Sequence, residues 1–136
     1  MSYPITEIDG IDGAAAAILK KVGIRSTGRL LEVARSVRGR KALADATGFD
    51  EKRLLCWANV ADRMRIKGIR KEYAELLHAA GVDTVKELKY RNPINLAKAM
   101  ADANKTRKLV RMLPSEKLVG RWIENAKKLP LKITYK

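Results

Sequence analysis

The sequence predicts an all-α protein made of two tandem copies of one helical unit, packed as one domain or as two small lobes. Three observations predict it. Apolar residues recur at helical spacing, and no stretch alternates as a strand would. Capping residues and glycines stand where helix ends need them. Residues 8–30 also lie on residues 66–88 without a gap, identical at seven of 23 positions: Ile8/Ile66, Gly10/Gly68, Ile11/Ile69, Ala16/Ala74, Leu19/Leu77, Gly23/Gly81 and Leu30/Leu88. A second pairing sets 50–61 on 115–126 and matches Trp57 with Trp122. The larger offset puts seven extra residues in the second copy, within 99–113.

The elements follow in order. "IDGIDG" (8–13) is a glycine turn, with Asp9 and Asp12 around Gly10 and with Gly13 serving the turn geometry. "AAAAILKKVG" is an amphipathic helix stopped by Gly23 in a left-handed C′ position. Ser26 caps the next helix. "RSVRGRK" follows, with Arg35, Arg38, Arg40 and Lys41 as the only dense basic cluster of the first copy. Asp50 caps a helix carrying Trp57. In the second copy, "KEYAELLHAAG" stops at Gly81, Thr84 and Glu87 make a capping box, and Asn92 with Pro93 opens a further helix. Ser115 caps the last helix, where Leu118, Val119, Trp122, Ile123, Ala126 and Leu129 form one apolar face. Both tryptophans are expected in the core. The expected units are 1–62, 63–129 and an extended tail, 130–136, lying on the surface.

Charge is the strongest functional signal. The 136-residue chain carries a net +14. Residues 1–62 hold 10 Lys and Arg against 8 Asp and Glu, while residues 63–136 hold 19 against 7. A field this one-sided points to a polyanionic partner met by the second copy. "NKTRKLVRM" is expected to place Lys105, Lys108 and Arg111 together on a helix, with Leu109 and Met112 turned inward. Lys117, Arg121 and Lys128 are expected as a second stripe on the last helix.

Catalysis is not expected. His78 is the single histidine, and Cys56 reads as a small buried hydrophobe that excludes an internal disulfide. No zinc spacing, Walker A loop or Rossmann fingerprint occurs, and Asp9 with Asp12 is too little for a calcium loop. No metal or cofactor is therefore expected. "MSYPITEIDG" lacks the pattern of a signal peptide, and "AAAAIL" is too short to span a bilayer. The expectation is a cytoplasmic protein with no membrane association.

The repeated unit, apolar–x–Gly–apolar before a helix, resembles the helix-hairpin-helix family, and "IKGIRKEYAELLHAAGVDTVKEL" is its better copy. The two-copy layout is similar to a small bacterial family of tandem helix-hairpin-helix proteins of unknown function. The resemblance implies binding of a nucleic-acid backbone without base reading, and DNA before RNA. It assigns phosphate contact to Lys67, Gly68, Ile69 through its backbone N–H, Arg70 and Lys71. Both copies depart from the pattern, because Asp12 and Arg70 replace the second hairpin glycine. Asp9 and Asp12 would repel a phosphate, so the first copy is not expected to bind one. The alternative expectation is an adaptor that docks an acidic protein partner or associates with itself.

Overall fold

The computed structural model describes residues 2–136. Among them are eight α-helices and one 3₁₀ turn at Ile5–Glu7, with no strands. The helices are α1 (Gly13–Lys21), α2 (Thr27–Ala34), α3 (Val37–Thr47), α4 (Glu51–Arg63), α5 (Lys71–Ala79), α6 (Val85–Leu88), α7 (Pro93–Arg107) and α8 (Glu116–Lys128). α2 packs against both α3 and α4, and α3 packs against α4. In the second half α7 packs against α5 and α8, and α6 against α8, while α4 meets α5 across the junction.

The two halves repeat each other at the level of single atoms. Gly10 and Gly68 have φ of +91° and +92°, a left-handed conformation that L side chains rarely adopt. The next residue closes each turn: the Ile11 N–H donates to the Ile8 carbonyl at 3.2 Å, and the Ile69 N–H donates to the Ile66 carbonyl at 3.1 Å. Behind each glycine lies an indole. Trp57 Nε1 is 3.4 Å from where a Cβ on Gly10 would sit, and Trp122 Nε1 is 3.5 Å from the same point on Gly68. Phe49 meets Trp57 edge-on at 5.0 Å between centroids, and Tyr73 meets Trp122 at 5.2 Å. α1 and α5 end alike, on Gly23 (φ +84°) and Gly81 (φ +94°). The following N–H groups, of Ile24 and Val82, return to the carbonyls of Leu19 and Leu77. Gly13 takes no part in such a turn. Its φ is not positive, and it is the first residue of α1.

Both tryptophans are buried, as the apolar faces of their helices require. Leu19, Leu30, Leu54, Ile66, Ile69 and Leu77 surround them in one continuous core, each fully out of water. Burial of each such side chain contributes about 2 kcal/mol. Three charges are also buried, Arg40, Asp62 and Arg63, and the last two are neighbours whose polar atoms are satisfied. Asp62 accepts from Arg65 Nη1 and from the Val85 N–H, each at 2.8 Å. Arg63 donates from Nε to the Ala74 carbonyl (3.0 Å) and from Nη1 to the Asp83 carbonyl (2.7 Å). Burial lowers the Arg63 pKa from its ordinary value. These two neighbours tie the end of α4 to α5, to the α5–α6 connection and to the start of α6; a lone charge in that position would carry a large desolvation cost.

Several expectations are corrected. Glu87 does not complete the capping box on Thr84: its carboxylate accepts from the Asp83 N–H at 2.7 Å, one residue earlier. Cys56 is exposed, because it lies one residue before the buried Trp57 on α4 and so points off the core face. Arg40 is no part of a surface cluster. It is buried, donating from Nη1 to the Ala34 carbonyl (2.9 Å) and from Nη2 to the Thr134 carbonyl (2.6 Å). The stretch 105–112 is not one helix. α7 ends at Arg107, Lys108 takes a left-handed conformation (φ +50°), and Met112 is 78% exposed. Asn104 stops the helix by recapturing the chain: its Oδ1 accepts from the Leu109 and Val110 N–H groups, and its Nδ2 donates to the Val110 carbonyl.

The tail has no regular secondary structure and packs against both halves. The Thr134 N–H donates to the Arg35 carbonyl at 2.7 Å, Lys132 pairs with Glu32, and Arg65 Nη2 holds the Pro130 carbonyl at 2.7 Å. No helix among the described residues is long and apolar enough to cross a membrane.

Candidate functional site

The second glycine turn and the first turn of α5 occupy the place where the sequence sets Lys67 to Lys71. Lys67, Gly68, Arg70 and Lys71 are exposed there, and Ile69 is fully buried. The Ile69 N–H already donates to Ile66, so it is not open to a phosphate, contrary to the role assigned to it. Unpaired donors lie one step further on. In seven of the eight helices an N-cap side chain accepts from the first turn: Asp12, Ser26, Ser36, Asp50, Thr84, Asn92 and Ser115. In α5 the N-cap residue is Arg70, and no side chain caps the helix. Its first-turn N–H groups therefore carry the partial positive charge of a helix start with no acceptor from the chain.

Arg70 itself turns away. Its guanidinium pairs with Glu7 and stacks 4.1 Å over the Tyr3 ring. Its effect on this surface is to neutralise Glu7, while Glu72 in the first turn of α5 stays exposed. Asp12, at the matching position of the first half, caps α1 by accepting from the Ala15 N–H at 2.8 Å. It is a helix cap before it is a repelling charge. Asp9 lies in a separate groove with Cys56, His78 and Asp83, where His78 Nδ1 and Asp83 Oδ1 are 2.5 Å apart.

The structure adds two cations to the α5 start by a route that helical periodicity did not foresee. The loop after α7 folds back, and the Tyr73 hydroxyl donates to the Met112 carbonyl at 3.2 Å. This brings Lys108 and Arg111 beside Glu72 and Tyr73, which also border the turn containing Gly68 and Lys71. Lys71, Lys108 and Arg111 thus line two adjoining grooves at the first turn of α5, which share Glu72 and Tyr73, and Lys67 stands exposed just before Gly68. Lys105 stays on α7, paired with Asp102 at 3.6 Å. Lys117 and Arg121 belong to a different groove, between the start of α7 and α8, with Arg91, Pro93, Gly120 and Ile123. Lys127, rather than Lys128, completes that groove, paired with Glu124 at 3.0 Å. Arg91 went unforeseen there, although its place just before the Asn92 cap put it at the mouth of α7.

Beneath the turn, Trp122 Nε1 is buried without a hydrogen-bond partner. It faces Gly68, 3.5 Å from where a Cβ there would sit. Among the described residues no group of three or more His, Cys, Asp or Glu is placed to hold a metal ion.

A family model described as a domain of unknown function (DUF4332) matches residues 9–129. No curated protein and no solved structure matches the chain.

Proposed function

The chain belongs to the DUF4332 family, and for this member we propose non-enzymatic, sequence-nonspecific binding of nucleic acid, duplex DNA before RNA, through the second glycine turn and the start of α5. The reading treats each half as a helix-hairpin-helix unit in which only the second retains a phosphate-facing hairpin. The observation that carries it is the uncapped α5 N-terminus, with Lys71 lining the groove at its first turn and Lys108 and Arg111 lining the adjoining groove across Glu72 and Tyr73. Backbone N–H groups at a helix start hold a phosphate oxygen, and the nearby cations replace its counterions. Such contacts fix a protein on a duplex and carry no base information. Arg70 supports the site indirectly by cancelling Glu7. Lys105, Lys117 and Arg121 extend the positive field without sharing the site.

The test replaces Lys67, Lys71, Lys108 and Arg111 together by Gln and measures duplex DNA binding across a salt series. The log–log salt slope should become shallower by about 0.9 for each phosphate that the variant no longer neutralises. An unchanged slope and affinity remove these residues from the interface.

A second reading, an adaptor for an acidic protein partner, draws on the groove between α7 and α8. Its floor includes Pro93, Gly120 and Ile123, and Arg91, Lys117 and Arg121 stand along it. Partners that stay bound to the protein after nuclease treatment would favour this reading over the first.

A further inference from the structure

The chain has only seven aromatic residues: four Tyr, two Trp and one Phe. Five are buried or half-buried in the repeated core. The other two, Tyr90 (75% exposed) and Tyr135 (58% exposed), line one groove, together with the half-exposed Leu131. They come from distant parts of the chain. Tyr90 follows α6, and Tyr135 is in the tail that Arg40 and the Arg35 carbonyl hold in place. The groove therefore exists only because the tail folds back, and a scarce residue type is spent twice on its rim.

Cations accompany the rings. Lys86 lines the groove, and Lys89 Nζ stands 5.1 Å from the centroid of the Tyr90 ring. Two acids line the groove: Asp62 is paired with Arg65 and held by the Val85 N–H, and Glu87 accepts from the Asp83 N–H and keeps its charge. Exposed aromatic rings beside Lys86 and Lys89, neither in an ion pair among the described residues, match one chemistry well: an unpaired base stacks on the open face of a ring while its phosphates meet the cations. An acidic peptide would satisfy the lysines and leave the two flat faces without a flat partner.

We propose that the Tyr90–Tyr135 groove is a stacking subsite for an unpaired stretch of DNA, distinct from the α5 site that faces duplex backbone. This rests on the nucleic-acid reading above and adds single-strand contact to it. The two sites then suit DNA in which a duplex passes into a single strand.

The experiment measures binding of a labelled oligothymidylate and of a blunt duplex by fluorescence anisotropy. It compares the intact protein with Tyr90→Ala, Tyr135→Ala and the matching Phe variants. Both tyrosines are exposed, so circular dichroism should report an unchanged fold. The expected result is that each Ala variant loses about five-fold or more on oligothymidylate. The Phe variants should retain binding, and the duplex affinity should not change. Ala variants that bind oligothymidylate as the intact protein does would overturn the groove. So would Phe variants that fail as badly as Ala, because stacking needs the ring and not the hydroxyl. An intact protein that binds duplex but not oligothymidylate overturns the groove alone. One that binds neither overturns the groove and the proposed function together.

Discussion

Gly10 and Gly68 carry the same burden at the same angle, so the same substitution should cost the same in each. A left-handed φ disfavours any Cβ by about 1–2 kcal/mol. The indoles at 3.4 and 3.5 Å leave ordinary contact distance for a Cβ and add little. Gly10→Ala and Gly68→Ala should each lower stability by about 1–2 kcal/mol in urea unfolding. Gly13→Ala should do the opposite, raising stability by about 0.5 kcal/mol, since its φ is helical and nothing lies within 4 Å of its Cβ position. Equal losses at all three positions would contradict the assignment of Gly13 to the helix. The pairing of Arg70 with Glu7 supplies a functional test at this scale. Glu7→Gln removes an acid beside the α5 start and frees a cation, so DNA binding should tighten several-fold. Weaker binding would mean that the pair positions the turn. The glycines and most caps were legible in the sequence because each answers a local backbone demand. The fate of Arg70 was not, because Glu7 and Tyr3 lie more than sixty residues away in the chain.

Among the elements, α1, α4, α5 and α8 were legible because periodicity and caps agree there. The stretch 105–112 was not, for a physical reason: Asn104 satisfies three backbone groups at once and ends the helix where apolar spacing would have continued it. The difference matters for the site, because the loop and not a helix face delivers Lys108 and Arg111 to α5. The tail shows the same limit. Its lack of a helix was legible, but Arg40, which reads as surface charge, is the group that fixes it. Arg40→Ala should cost about 2 kcal/mol. It should also abolish hydrogen-exchange protection at the Thr134 amide while α8 stays protected. The same amide reports on pH. Lys132 holds the Glu32 carboxyl below its ordinary value of 4.5. A depressed carboxyl stabilises the folded state above its unfolded pKa and loses that contribution as pH falls through its folded value. Protection at Thr134 should therefore drop in the acid range below 4.5, and the Glu32→Gln variant should lack this step.

At the scale of the whole molecule, duplication and charge diverge from each other. The two halves keep one backbone design, down to the indole behind each glycine, yet residues 1–62 are nearly neutral and residues 63–136 carry the excess. The paired glycine turns were legible because identical residues sit at the positions of greatest constraint. The arrangement of the unpaired cations was not, since it depends on which of them find acids in the folded chain. Asp9 separates a two-sided grip from a one-sided one. It caps nothing, whereas Asp12 cannot be changed without loss of the α1 cap. Asp9→Lys should leave affinity for DNA nearly unchanged if the first turn faces away from the polyanion, and a large gain would place both turns on it. The central claim, that this chain grips a polyanion with its second half, meets its most direct test in the salt dependence of duplex DNA binding by the intact protein. Log K should fall linearly with log salt, with a slope of about −0.9 for each phosphate neutralised and a total well beyond that of a single phosphate. A flat salt dependence, or no binding at low salt, would contradict it.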